Sequence, residues 1–253
     1  ITAAPDVLDV YQQALAHDLV LAQALHNRDP EIENLPIAES AFFPRLSLDG
    51  SLGRSEIRFE GAPAGSTIPP KLLNTFNTYS LSARQNVFNY QRWKEIKAAG
   101  AQAAAAEATF NAAYQDLIIR VATAYFAILL AEDTLEFTQS ELRANELRFP
   151  QAEQRFEVSL VAITAVDEAK AARDTVKARE IASQNAVYNA REDLRVLTNQ
   201  VYETIAKIQD NIPLVRPDPL DVDTWVNSAV DQNYSLQAAH MEMEAARENI
   251  AVQ

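Results

Sequence analysis

Few residues in this sequence have the types and spacing that catalysis or metal binding requires. The three histidines, His17, His26 and His240, lack a second histidine or a carboxylate at the spacing of metal ligands, so we interpret them as surface or interface residues. Adjacent residues on a helix point in different directions, so adjacent acids indicate solvated faces rather than a catalytic pair. Three such pairs are present: Glu132/Asp133, Asp167/Glu168 and Glu192/Asp193.

Motifs of catalysis and cofactor binding are absent from the sequence as well. It contains no Gly-rich phosphate loop, no nucleophile elbow and no zinc-binding helix motif. The absence of cysteine excludes disulfides, thiolate metal sites and cysteine nucleophiles. A net charge of −13 opposes binding to a phosphate backbone. We therefore expect no enzyme, no cofactor, no metal and no nucleic-acid partner.

The composition favours long helices. Of 253 residues, only five are Gly and 48% are hydrophobic, which excludes general disorder. The most apolar run, Val121 to Ala131, is shorter than the ~20 residues of a membrane-spanning helix. Any membrane crossing would therefore not use helices. The chain opens on ITAAPDVLDVYQQAL without a signal-peptide pattern, as a mature exported protein could.

The first 89 residues change from a helical to an alternating pattern. Residues 1–41 predict a helix, with Pro30 and Pro36 as kinks or breaks. Residues 42–89 predict a β-hairpin around an exposed loop at 60–73. In a soluble α+β protein its apolar face would pack on helices, whereas in an outer-membrane barrel it would meet lipid, and alternation alone leaves both open. The predicted apolar face comprises Leu46, Leu48, Leu52, Tyr79, Leu81, Ala83 and Val87.

Residues 90–210 predict a long helical hairpin. From Trp93 to Phe149 the only strong breaker is Gly100, and such a helix would be roughly 85 Å long. Pro150 is predicted to kink it near its end. A further helical pattern, from about Thr164 to Asp210, has coiled-coil spacing, and we expect it to fold back antiparallel on the preceding helix. The heptad positions are Val187, Leu194, Val201 and Ile208, with Ala190, Leu197 and Thr204.

Two further segments complete the organisation. The uncharged stretch VSLVAITAV, Val158 to Val166, falls at the predicted tip of the hairpin, residues 156–166. By itself it is compatible with a core strand, a helix turn or an exposed contact surface. Residues 211–223 predict an extended, proline-rich connector. Residues 224–253 then echo the start of the chain at an offset of 215, pairing Asp18 with Asn233, which predicts the start of a second structural repeat.

Three strings of the sequence resemble the TolC family of outer-membrane efflux channels, rather than its lipoprotein relatives. They are VYQQAL from Val10, VATAYFAILLAEDTLEFTQ from Val121 and RFEVSLVAITAVDEAKAARDTV from Arg155, and the shared order of elements covers nearly the whole chain. The resemblance implies a mainly α fold with a β-hairpin. Long antiparallel helical hairpins would form a periplasmic α-barrel, and the strands would contribute to a trimeric, twelve-stranded transmembrane β-barrel.

The resemblance also implies a function and partners. The protein would be a homotrimeric exit duct in outer-membrane lipid, extending into the periplasm, for efflux of small molecules and type I protein secretion. An inner-membrane pump and a periplasmic adaptor (membrane fusion) protein would recruit it. The alternative is a soluble periplasmic coiled-coil adaptor or scaffold, which shares only the long helical hairpins.

Specific residues acquire roles by the same resemblance. Val158, Ser159 and Leu160 would dock the adaptor, and Thr164 and Ala165 would lie at the periplasmic constriction. Ser159 stands where the family usually has Gly, and Ala165 where it usually has an acid, so docking is favoured over gating at this turn. Tyr90 and Trp93 would be membrane-interface aromatics, with ordinary packing as the alternative.

Overall fold

A computed structural model describes residues 4–58, 71–208, 216 and 218–251. These form two compact units, one with residues up to Pro30 and Ala104–Met241, the other with Glu31–Ala103 and residues from Glu242 onward. No helix in the described ranges is long and apolar enough to cross a membrane. In chain order the elements are α1 (Val7–His17), α2 (Leu19–Glu39), a 3₁₀ turn (Ser40–Phe42), β1 (Arg45–Arg58), β2 (Lys71–Arg84), α3 (Tyr90–Glu157), α4 (Ile163–Thr198), α5 (Val222–Gln232) and α6 (Tyr234–Ile250).

The first helical segment is divided at Asp18, not at its prolines. Asp18 has extended backbone angles (φ −65°, ψ 119°), and its side chain accepts a hydrogen bond from the Leu21 amide at 2.7 Å. An aspartate that caps the next helix in this way stops one helix and starts another. A break at Pro30 or Pro36 is therefore wrong, because α2 continues through both residues, and a kink at either proline stays a prediction.

The strands form the predicted antiparallel hairpin. Leu48 lies opposite Leu81 and Leu46 opposite Ala83, so these side chains share one face, and Ser47 opposite Ser82 marks the other. Val87 is not part of the apolar face, because β2 ends at Arg84. The predicted loop at 60–73 is described only at residues 71–73, which belong to β2.

The phase of the alternation reverses towards the loop end of the hairpin. On β1 the apolar face ends at Leu52, and Ile57 lies on the opposite face, paired with Leu72. At the point of change Gly53 lies opposite Phe76, whose ring occupies the space that a side chain at position 53 would need. Glycine at this position therefore allows the aromatic ring of the neighbouring strand to cover the backbone.

α3 is the longest element, with 68 residues in one helix. This corresponds to roughly 100 Å at 1.5 Å per residue. It begins three residues before and ends eight residues after the range predicted from the sequence, and Pro150 lies inside it. Asn89 caps its start, accepting a hydrogen bond from the Arg92 amide at 3.0 Å.

α3 and α4 pack as the predicted antiparallel hairpin. Glu132 pairs with Arg191 at 2.8 Å and Glu141 with Arg179 at 3.1 Å. Residue numbers therefore decrease along α4 as they increase along α3, which is the antiparallel arrangement. Side chains of α1 complete the core between these helices. The buried cluster comprises Val10, Ala14, Leu21, Leu117, Val121, Tyr125, Ile128, Leu129, Ala190, Leu194 and Ile205.

α4 is shorter than the sequence predicted. It ends at Thr198, where Asn199 adopts left-handed backbone angles (φ 54°) that close the helix. Of the heptad positions, Val187, Ala190 and Leu194 are buried in α4, whereas the later positions at 201, 204 and 208 follow its end. Beyond it the chain is held by Ala206, which bonds to Pro5 and to the Tyr125 hydroxyl. Of the predicted connector at 211–223, residues 216 and 218–223 are described, and the last two residues begin α5.

The last two helices repeat the first two. α1 and α5 each span 11 residues and follow an aspartate, Asp6 or Asp221, whose carboxylate accepts backbone hydrogen bonds. Each ends at an extended residue, Asp18 or Asn233, after which the next helix starts at once. Asp221 follows Asp6, and Asn233 follows Asp18, by the same 215 residues. The offset in the sequence is therefore also an offset between helix boundaries.

Candidate functional site: the helical tip and the strand foot

The helical tip, residues 156–166, is a closed turn between α3 and α4. The Leu160 amide donates to the Arg155 carbonyl at 2.9 Å and the Ser159 amide donates to the Phe156 carbonyl at 2.8 Å. These two bonds define a Schellman motif, whose residue with positive φ is usually glycine. Here that residue is Ser159, with φ 59°. The structure thus keeps the left-handed turn without the glycine, at a cost in backbone strain.

The side chains around this turn present an apolar surface to solvent. Val158 is 65% exposed and Leu160 is 71% exposed, and Ile163 on the first turn of α4 is also exposed. Exposed aliphatic side chains held on a closed turn suit contact with another surface. The three residues predicted to dock a partner, Val158, Ser159 and Leu160, are therefore adjacent and accessible, although no partner is present.

The residues predicted at the constriction lie on the other side of the tip. Thr164 is exposed and Ala165 is half-buried in the first turn of α4. Ala162, which precedes this helix, has no side-chain capping bond. The neighbouring acid Asp167 is exposed.

Tyr90 and Trp93 form an aromatic pair where the strand hairpin meets α3. Their ring centroids are 6.2 Å apart, and both rings are about half exposed. The Lys97 ammonium lies 4.0 Å from the Trp93 ring centroid, a cation–π contact. Amphipathic rings beside lysines are typical of a membrane–water interface. Packing within the chain therefore leaves these rings available for the predicted role.

The ends of the strands that connect to helices, at Arg45 and Arg84, form what we call the strand foot. Asn86 donates to the Ala41 carbonyl at 3.0 Å, joining the segment after β2 to the segment before β1. This bond ties together the two chain segments that lead into and out of the hairpin.

A buried ion pair at the α1–α2 break was not predicted from the sequence. Asp18, only 4% exposed, accepts two hydrogen bonds from Arg120 of α3, at 2.8 and 2.9 Å. This contact lowers the pKa of Asp18 and raises that of Arg120, the hydrogen bonds between them being the main cause in each case. The alignment of Asp18 with Asn233 in the sequence is a signal for the helix break at both positions, but it carries no signal for the ion pair.

These features, a long helical hairpin with a closed tip and a β-hairpin with one apolar face, define a class of protein. The family model for the outer membrane efflux protein matches residues 10–200. Because that match covers most of the chain, the chain belongs to the outer membrane efflux protein family. The predicted family, and a mainly α fold with a β-hairpin, are thereby confirmed.

Alignments with individual relatives show what share of their length this chain covers. TolC of Vibrio cholerae is 32% identical over 249 residues, covering 98% of this chain and 55% of the relative. The alkaline protease secretion protein AprF of Pseudomonas aeruginosa is 26% identical over 249 residues, covering 95% and 50%. The crystal structure of CusC superposes with a TM-score of 0.81 at 18% identity, covering 98% and 56%, which is a likeness of fold. The chain spans about half the length of the curated relatives it matches.

Proposed function

We propose that this chain is part of a homotrimeric outer-membrane exit duct. The observation that carries the proposal is the exposure of the apolar face of the strand hairpin: Leu48, Leu52 and Leu81 are each more than 70% exposed. The two strands form a sheet with each other only, so each also has an edge without a partner among the described residues. Lipid requires such edges to be closed by further strands, which other copies of the hairpin would supply.

The soluble adaptor or scaffold is the weaker candidate. A soluble protein rarely leaves a contiguous row of leucines and a tyrosine unpacked, because each exposed apolar Å² costs about 25 cal/mol in water. In a barrel the same row faces lipid, and the serines of the other face line a wet lumen. The membership in an outer membrane family agrees with the second arrangement.

The proposed duct carries out no chemistry, and a partner supplies its energy. The family description, outer membrane efflux protein, supports an efflux passage, and the relative named for alkaline protease secretion supports a passage for secreted polypeptides. An inner-membrane pump and a periplasmic adaptor would engage the helical tip through Val158, Ser159 and Leu160. Thr164 and Ala165 would line the entrance, and Tyr90 and Trp93 would lie at the lipid interface.

The opposite faces of one strand provide a matched test of membrane insertion. Leu81→Asp places a charge on the apolar face, and Ser82→Asp places the same charge on the polar face one residue away. In the full-length gene product we expect Leu81→Asp to abolish heat-resistant trimers in the outer-membrane fraction, because a charge would face lipid. Ser82→Asp should assemble normally. Equal assembly of both variants, with release from membranes without detergent, would favour the soluble alternative.

A further inference from the structure

The strand hairpin carries an unusual pair of like charges at its foot. Arg45 and Arg84 lie directly opposite each other, so both side chains project from the same face of the sheet. Directly opposed residues have Cβ atoms about 4.5–5.5 Å apart, and like charges in such a pair repel. Both residues are exposed, and neither has an ion pair or side-chain hydrogen bond with any residue that the structure describes.

The register assigns this pair to the polar face. Ser47 and Ser82, the next pair on the same face, have their hydroxyl oxygens 2.7 Å apart. Asp49 is the nearest acid on that face, four residues along β1 from Arg45, or about 13 Å at 3.3 Å per residue. Because the neighbouring pair is uncharged and Asp49 is too far away, no acid on this face neutralises the two guanidinium groups.

The hairpin differs in charge from the rest of this acidic chain. The hairpin segment, residues 42–89, contains five Lys or Arg and three Asp or Glu, a net charge of +2, whereas the whole chain carries −13. The remaining residues therefore carry −15. A cationic pair on the polar face of this net-basic segment is a local potential well for anions.

We propose that Arg45 and Arg84 form an oxyanion-binding site on the lumen wall of the duct, at the foot of the barrel strands. Guanidinium groups bind carboxylate and phosphate oxygens in bidentate geometry, so the ligands are solutes that carry these groups. Three copies in a trimer form a cationic ring that favours the passage of anions. The inference rests on the proposed function, because the polar face is a lumen wall only in a barrel.

Ion selectivity in planar bilayers tests the site separately from the duct. The full-length gene product is compared with three variants: Arg45→Gln/Arg84→Gln, Arg45→Lys/Arg84→Lys, and Arg54→Gln. Arg54 belongs to β1 but lies on the opposite face, so its loss removes a charge from the same strand without touching the site. Reversal potentials in a KCl gradient give the chloride-to-potassium permeability ratio, and inorganic pyrophosphate serves as a blocking oxyanion.

We expect the double Gln variant to lose part of its chloride preference and its pyrophosphate block. The Arg54→Gln variant should keep both, and the double Lys variant should keep the chloride preference. If the double Gln variant forms pores with unchanged chloride preference and unchanged pyrophosphate block, the anion site is overturned, whereas the proposed duct is not. Failure of the double Gln variant to assemble would show that the pair holds the wall instead, and would also overturn it. Absence of any conductance in the unmodified protein would contradict both the duct and the site.

Discussion

Arg120 holds the buried carboxylate of Asp18 at the point where the first helix breaks. Its two terminal nitrogens lie 2.8 and 2.9 Å from the two carboxylate oxygens, and its Nε lies 2.7 Å from Asp116. The same carboxylate caps α2 through the Leu21 amide. Asp18 thus lies where α1 ends and α2 starts, and its carboxylate attaches both helices to α3. We call this the Asp18 joint; it couples local capping to tertiary packing.

Asp18→Asn tests the charge of this joint while keeping the cap. Asparagine can still accept from Leu21, as Asn233 accepts from Leu236 at 3.0 Å in the second copy. Arg120 would lose its buried counter-ion, so the joint should weaken by about 1–3 kcal/mol at neutral pH. Hydrogen exchange of the amides around Leu21 measures this local free energy of opening. The control Asp116→Asn, at an exposed carboxylate, should change it by less than about 0.5 kcal/mol.

The same variant predicts a pH dependence with a defined sign. Arg120 lowers the pKa of Asp18 below its ordinary value of 3.8, so the folded joint binds protons more weakly than the unfolded chain does. The stabilisation is therefore complete above pH 3.8 and is lost as the pH falls through the lowered pKa. The difference between wild type and Asp18→Asn should shrink in that acid range. A difference that stays constant from pH 7 to below this range would contradict the account.

Ser159→Gly should stabilise the helical tip. Ser159 holds φ at 59°, a conformation that costs an L residue roughly 1–2 kcal/mol and glycine almost nothing. Part of the gain is offset by glycine's entropy in the unfolded chain, so we expect about 0.5–1 kcal/mol in local exchange measurements. Ser140→Gly in the middle of α3 is the matched control and should have the opposite sign. Destabilisation by both changes would contradict the strain at the tip.

The surroundings of Gly50 and Gly53 in β1 predict that substitution by alanine has different effects at the two positions. At Gly53 an added Cβ would overlap the Phe76 ring, whereas at Gly50 it would meet Tyr79 at an ordinary 3.5 Å. We expect Gly53→Ala to reduce trimer assembly more than Gly50→Ala, because the half-exposed Phe76 ring must move to admit the methyl group. Adding Phe76→Ala to Gly53→Ala should remove most of the further penalty of the methyl group. Additive effects of the two changes would show that the ring does not occupy this space in the assembled protein.

The apolar side chains of the tip predict a separable defect in partner binding. Leu160→Asp should reduce export while leaving trimer assembly and bilayer conductance unchanged, because the residue is exposed and outside the core. Ile181→Asp, at an exposed aliphatic position on the body of α4, is the control for a charge placed elsewhere on the hairpin. Normal export by Leu160→Asp, measured with the cognate pump present, would remove the tip from the proposed docking surface.

Patterns in the sequence predicted the elements better than their ends. Alternation located the hairpin, the long stretch without helix breakers located α3 and the heptad spacing located α4, since those signals extend over many residues. The break at Asp18 was missed because, in the sequence, Asp18 looks like any polar residue of a helix. Its capping bond and its pairing with Arg120 become visible only in the structure. The end of α4 was missed because the heptad spacing continues past Thr198, while the backbone turns at Asn199.

The candidate site was predictable to a different degree at each position. The family resemblance selected Val158, Ser159 and Leu160, and the expectation that Ser159 stands in a glycine position agrees with its positive φ. The opposed pair Arg45 and Arg84 could not be assigned from alternation, because pairing across strands depends on register. Register depends in turn on how the apolar patterns of the two strands align with each other, which the alternation within one strand does not give.

The most direct test of the central claim is the conductance of the full-length gene product in planar lipid bilayers. The account predicts discrete channel openings from a detergent-extracted trimer, and their loss in Leu81→Asp but not in Ser82→Asp. A protein that stays monomeric, leaves membranes without detergent and gives no conductance would contradict the claim that this chain forms part of an outer-membrane duct.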